Sequence, residues 1–190
     1  MRDSKVLEYI QFLYKTAELD FNATFKKARQ LLSIYKSVCW ETEARANEFS
    51  EQLQLESKRL DVAMDFLMDY SCEMDKKRFL SRMSSFFQTK WLVDLVQEAQ
   101  FHVYNYPFNG KLYQDIVSLL YLNVSTYTEQ NMLEVLNLER TNYYSKKKEA
   151  IALFGYCVWG VVIPKCQKEL SYNKVNFTAP AKPDCEAILA

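Results

Sequence analysis

The sequence predicts an all-α protein, with long N-terminal helices forming an arm or a hairpin, followed by a C-terminal helix-turn-helix bundle. Three observations carry this expectation. Only 3 Gly and 4 Pro occur in 190 residues, none of either before Pro107, whereas an all-β chain needs turn residues about every ten positions. Apolar residues recur at steps of three and four over most of the length, the period of a helix buried along one side. Hydrophobic residues make up 49% and charged residues 25% of the chain, a composition able to bury a core, and the length suits one good-sized core or a small domain plus an arm.

Taken in order, residues 1–19 place Val6, Leu7, Ile10, Phe12, Leu13 and Tyr14 on one wide helical face. A second stripe runs from Leu31 through Tyr35, Val38, Thr42, Ala46, Phe49, Leu53, Ser57, Leu60, Met64 and Leu67 to Ser71. Unbroken, that helix is roughly 60 Å long. A rod of this length cannot bury its stripe alone, so it must fold back or pair with a second chain, which makes a homodimer through the N-terminal helices an expected assembly. The stripe is weakest between Thr42 and Ser57, the place for a bend. Residues 75–104 supply further helix through Phe79, Met83, Phe86, Phe87, Trp91, Leu92, Leu95, Val96 and Ala99. The break follows at Asn105-Tyr106-Pro107-Phe108-Asn109-Gly110, where proline removes a donor and Asn109-Gly110 offers left-handed backbone. This sets an arm over 1–104, for dimerisation or partner binding, apart from a helix-turn-helix DNA-binding head over 111–170. Past Ser171 the periodicity fades and two prolines appear, so 171–190 is expected to be a flexible tail.

Lys plus Arg equals Asp plus Glu, 24 each, so attraction to a polyanion must come from local clustering rather than from the whole molecule. The five cysteines, Cys39, Cys72, Cys157, Cys166 and Cys185, are odd in number and scattered, as reduced thiols of a reducing compartment are. The start lacks a signal-peptide core, and the longest apolar run, Ile151 to Ile163, is cut by two glycines and too short for a bilayer. The expected location is the cytoplasm, with no membrane partner.

Within the head, three helical pieces are expected: Leu112 to Leu122, Thr128 to Leu136, and Arg140 to about Trp159. Thr128 can cap the second, with Met132, Leu133, Val135 and Leu136 facing the core. Asn137 is the best non-glycine residue for a left-handed stop, Leu138 fills the corner, and Glu139-Arg140-Thr141 begins the third helix. Tyr143, Ala150, Ile151, Phe154, Cys157 and Val158 form its buried stripe. Arg140, Thr141, Asn142, Tyr144, Ser145, Lys146, Lys147 and Lys148 form an acid-free run at its start. Arginine can bond guanine edges, asparagine can read adenine, and hydroxyls and lysines suit phosphates. Cations at the positive end of a helix dipole call for an anion. The expected DNA-binding set is Arg140, Thr141, Asn142, Tyr144, Ser145, Lys146 and Lys148, and the expected partner is double-stranded DNA.

The string from Leu136 to Ala150, with its Tyr143-Tyr144 pair, basic residues and alanine, and the later Val158-Trp159-Gly160, resembles the sigma-factor region-4-like helix-turn-helix of phage-type transcriptional regulators of the ArpU kind. Asn137 stands where that family usually has glycine and Glu139 where it usually has serine. The resemblance covers about a quarter of the chain and implies a regulator of prophage or mobile-element genes, with RNA polymerase as a further partner. The alternative from another class is a helical interaction or scaffold protein.

No catalytic centre, metal site or cofactor is expected. His102, the only histidine, lies between Phe101 and Val103 without neighbouring acids. Cys157 and Cys166 lack the partner pair a zinc site needs. Asp61, Asp65 and Asp69, like Asp94 and Glu98, repeat at the spacing of a solvated helix face. The wealth of Tyr and Phe, 13 and 12, suits helix packing.

Overall fold

The computed structural model describes residues 4–46, 57–71, 74, 76–82, 86–123, 125 and 127–177. Among them every regular element is helical, as the glycine and proline economy requires. In chain order they are α1 (Lys5–Thr16), α2 (Phe21–Ala46), α3 (Ser57–Asp69), α4 (Lys76–Arg82), α5 (Phe86–Tyr104), α6 (Gly110–Val117, extended by a π turn over Ser118–Leu122), α7 (Glu129–Leu136), α8 (Arg140–Tyr156, extended by a π segment over Cys157–Val162) and α9 (Ile163–Phe177).

The entry into α1 is fixed by Ser4, whose Oγ accepts the Leu7 N–H at 3.1 Å. Leu7, Ile10 and Tyr14 bury one face of this helix against α8. Glu18 in left-handed backbone (φ 56°) turns the chain, and Asp20 Oδ1 accepts the Ala23 N–H at 2.5 Å to start α2. The apolar face of α2 is Ala28, Leu31, Leu32, Ile34, Tyr35 and Val38.

The chain folds back after α2. Lys27 Nζ donates to the Met68 carbonyl, Tyr70 Oη to the Lys27 carbonyl at 2.7 Å, and Trp159 Nε1 to the Leu67 carbonyl at 3.0 Å. The bonds to Met68 and Leu67 satisfy last-turn carbonyls of α3 that its own backbone leaves orphaned, and the bond from Tyr70 ties the end of α3 to the backbone of α2. Of the long stripe, Leu31, Tyr35, Val38, Met64 and Leu67 are buried and Ser71 is exposed. Of the span from Thr42 to Ser57 where a bend was expected, residues 47–56 lie, like Met83, outside the described residues.

The break between α5 and α6 comes where the sequence puts it, with a different division of labour. Asn109 alone is left-handed (φ 59°), and no glycine has positive φ. Gly110 is required for proximity instead. A Cβ there would lie 2.5 Å from the Tyr104 carbonyl oxygen and 2.7 Å from that of Val103. Backbone so placed cannot swing aside.

Two further expectations are corrected. The third head helix continues past Trp159 through the π segment and α9 to Phe177, a rod of about 55 Å. Pro164 has no N–H for the helical ladder, and the π winding just before it changes the ladder's register there. The stretch Arg140–Ser171 is long and apolar enough to cross a membrane, and 67% of its apolar window is buried inside the fold. Helix also persists beyond Ser171, where the tail was expected to begin; 178–190 lie outside the described residues.

One hydrophobic cluster runs from Leu7 to Ile163, drawing on α1, α2, α3, α5, α6 and α8 together. The segments 1–104 and 111–170 therefore share a core, with α8 packed on α1, α2, α5 and α6. Residues 149 to 155 of α8 are buried on every side.

Candidate nucleic-acid interface

The joint ahead of α8 is built as its residues suggest. Thr128 Oγ1 accepts the Asn131 N–H at 3.2 Å and caps α7. Asn137 is left-handed (φ 49°, ψ 49°), which lets the Leu138 N–H reach back to the Leu133 carbonyl at 3.1 Å and close the helix. Glu139 is extended and makes no side-chain cap, and α8 starts at Arg140. Met132 and Tyr143 are buried beneath the joint. Leu133, Leu136 and Leu138 are half-buried, while Val135, expected inward, is 59% exposed.

The proposed contact residues divide into two groups. Arg140, Thr141, Asn142, Tyr144 and Lys148 are exposed. Ser145 and Lys146 turn toward the core. Lys146 Nζ lies 2.9 Å from Glu149 Oε2, its side chain only 19% exposed, and 5.9 Å from the centre of the Tyr113 ring. Ser145 Oγ donates to Glu149 Oε1 at 3.4 Å. Lys146 is thus committed inward and is not a surface phosphate lysine. Lys147, outside the predicted set, is half-buried with its ammonium 5.8 Å from the Tyr143 ring centre. Burial, then the nearby Arg29 guanidinium, hold it below the ordinary lysine pKa.

The anion that the acid-free run calls for is partly supplied by the protein. Glu129, in the first turn of α7, accepts from Arg140 Nε at 2.9 Å through Oε1 and from Tyr144 Oη at 2.6 Å through Oε2. The bond with Tyr144 and the charge of Glu129 raise the Arg140 pKa. This triad is exposed, so its ion pair is worth little and can be exchanged for another anion.

Glu149 is the residue that sequence reasoning missed. Its side chain is wholly buried, yet it carries the acid of the site. Ser4 Oγ and Tyr113 Oη each donate to it at 2.5 Å, beside Lys146 and Ser145. Burial alone raises a carboxyl pKa, but the bonds from Ser4, Tyr113 and Lys146 outweigh it and hold Glu149 below its ordinary value. It pins α1 and α6 to α8 at one point. The signal was its spacing, four from Leu153 and eight from Cys157, both buried.

Among the described residues no group of three or more His, Cys, Asp or Glu could hold a metal ion. Cys157 is buried and its thiol is pushed up to about 12 by burial, which disarms it as a nucleophile. Cys39, Cys157 and Cys166 take part in no disulfide among the described residues; Cys72 and Cys185 lie outside them. His102 is half-buried with its ring 6.2 Å from that of Phe101. Asp94 and Glu98 pair with Lys90 and Lys165 at 3.3 and 2.7 Å.

Fold and site define an all-α protein whose central helix runs from a buried core to an exposed polar first turn. Comparison with protein-family models, curated proteins and solved structures finds no match.

Proposed function

We propose that this protein binds double-stranded DNA, inserting the first turn of α8 into the major groove. The observation that carries the reading is the contrast along one helix. Residues 149 to 155 are locked in the core, while Arg140, Thr141, Asn142 and Tyr144 stand exposed just beyond a tight three-residue joint. A rigid helix with an outward polar start is what groove reading needs. Arg140 and Asn142 would read base edges, and Thr141, Tyr144 and Lys148 would hold phosphates. The resemblance to phage-type regulators extends the proposal to control of prophage or mobile-element genes. A contact with RNA polymerase rests on that extension, whereas a dimer through the N-terminal helices is inferred from the long apolar stripe, whose Leu31, Tyr35, Val38, Met64 and Leu67 are buried within the chain itself.

Fluorescence anisotropy of labelled random and selected duplexes tests it. Binding is expected to weaken steeply with salt. Asn142→Ala should cut discrimination between sites about tenfold, and Lys148→Glu should weaken all duplexes alike. Absence of binding at low salt would sink the proposal.

A second reading is supported by a different surface. Tyr9, Phe12 and Phe108, exposed by 47, 60 and 53%, form one aromatic set, with Tyr9 ring centres 6.4 and 6.3 Å from those of Phe12 and Phe108. Exposed aromatics in contact mark protein-binding faces. A Tyr9→Ser, Phe12→Ser variant that loses self-association or a protein partner while keeping DNA affinity would assign this face to that second role.

A further inference from the structure

The run Arg140 to Lys148 is not the longest acid-free basic stretch in the chain. From Phe21 to Trp40 there is no acid either, and the stretch carries Lys26, Lys27, Arg29 and Lys36. The fold sorts these cations. Lys27 turns inward to the Met68 carbonyl. Positions 26, 29, 33, 36 and 40 recur at steps of three and four, so they lie along one side of α2 opposite its buried Leu31, Leu32, Tyr35 and Val38. On that side Lys26, Arg29, Ser33 and Trp40 are exposed, Trp40 by 71%, and Lys36 is half-exposed. Among the described residues no acid pairs with Lys26, Arg29 or Lys36, in contrast to Arg140 and Lys146.

Two further observations shape this face. Lys26, Arg29, Gln30 and Ser33 line an open groove of about 300 Å³. Arg29 also sits close enough to Lys147 for the two cations to repel, while α2 packs against both α8 and the π turn after α6. Glu129 also acts on Lys147 but is bonded to Arg140 and Tyr144, so the cations gathered from the two helices outnumber the acid beside them and make a surface that an extended anion stabilises. An extended anion with charges a few ångströms apart is a nucleic-acid backbone.

We propose that the outward face of α2 is the phosphate-gripping part of the interface, with Lys26, Arg29, Ser33 and Lys36, joined by Lys147 of α8, holding the backbone of a DNA duplex. This rests on the DNA-binding reading of α8 and locates the charge that the first turn of α8 lacks. There Glu129 pairs with Arg140, and Glu139, the residue before it, is exposed. The α2 face contributes affinity without sequence information, and the α8 turn contributes discrimination.

The test is the salt dependence of duplex binding by the full chain, with Lys26→Gln, Arg29→Gln and Lys36→Gln alone and combined. The changed side chains point outward, so thermal unfolding is expected to match the parent. Each lost phosphate contact should flatten the log-log salt slope by about 0.9, and the triple variant should bind all duplexes at least about tenfold more weakly with its ratio between sites unchanged. Trp40 supplies a local reporter: duplex should alter its emission, and Trp40→Phe should abolish that change. Unaltered affinity and slope in the triple variant, with losses confined to Arg140 and Asn142 substitutions, would overturn the α2 assignment and leave the α8 reading standing. If the parent chain binds no duplex at low salt, both fall.

Discussion

At the scale of single residues, Glu149 shows how one carboxylate can be the price of a joint between three helices. Its oxygens collect Ser4, Tyr113, Ser145 and Lys146. The Ser4 hydroxyl serves twice, accepting from Leu7 to cap α1 and donating to Glu149. Glu149→Gln keeps the shape but removes the charge that Lys146 faces and turns one acceptor into a donor among donors. The expected loss is about 2–3 kcal/mol, below the full cost of breaking a buried pair because Lys146 retains some solvent. The pH dependence has a definite sign. A carboxyl held below its ordinary value of 4.5 binds fewer protons folded than unfolded. Its stabilising contribution is therefore complete above that value and disappears as pH falls through the lower folded value. Urea midpoints of parent and Glu149→Gln should be separated by a constant gap at neutral pH and converge below the ordinary carboxyl range. A gap that persists undiminished into strong acid would contradict this role.

At the scale of elements, the close crossing of α1, α2 and α8 depends on small residues. Tyr14 Oη donates to the Ala152 carbonyl at 2.6 Å, and a Cβ at Gly155 would lie 2.6 Å from that hydroxyl and 3.1 Å from the Ala28 Cβ. Alanine would gain about 1 kcal/mol in helix propensity, but the hydroxyl is anchored and the crossing must open, so Gly155→Ala should destabilise by about 1–3 kcal/mol. In a Tyr14→Phe background the clash is relieved, and the cycle should show coupling of about 1 kcal/mol by denaturant unfolding. Additive effects would place the strain elsewhere. Such crossings explain what the sequence could and could not convey. Thr128, Asn137 and Arg140 mark the α7–α8 joint because capping and left-handed backbone are local chemistry. The inward turn of Lys146 was not legible, since its partner Glu149, though only three residues on, is held in the core by Ser4 and Tyr113, which are distant in sequence. Gly155 read as an interruption of an apolar run, yet its purpose lies in Tyr14 and Ala28 across two interfaces. The third helix was expected to end near Trp159, yet it runs on through Pro164 to Phe177, where flanking packing outweighs one missing donor.

At the scale of the whole molecule, the question is whether the C-terminal helices form a unit. A separable head would bury α8 against α6 and α7 alone. Instead Ile151, Leu153, Phe154, Val158 and Val162 share one cluster with Leu7, Ile10, Leu31 and Leu32 from the first two helices, and Glu149 takes a proton donor from Ser4. Removing 1–104 would expose buried faces of α8 together with a carboxylate deprived of one partner, at about 25 cal/mol for each Å² of apolar surface left in water. A fragment of 111–177 should therefore show no cooperative unfolding transition, whereas the full chain should unfold with far-UV circular dichroism and tryptophan fluorescence changing together. Trp159 is a fitting reporter, because its indole bonds Leu67 at 3.0 Å and so senses the contact between the N-terminal helices and the central rod. Adding 1–104 in trans and regaining both signals would show that the two pieces complete one core. A fragment that melts cooperatively alone would show instead an autonomous head, and the α2 face would then act as a separate arm rather than as part of one rigid surface.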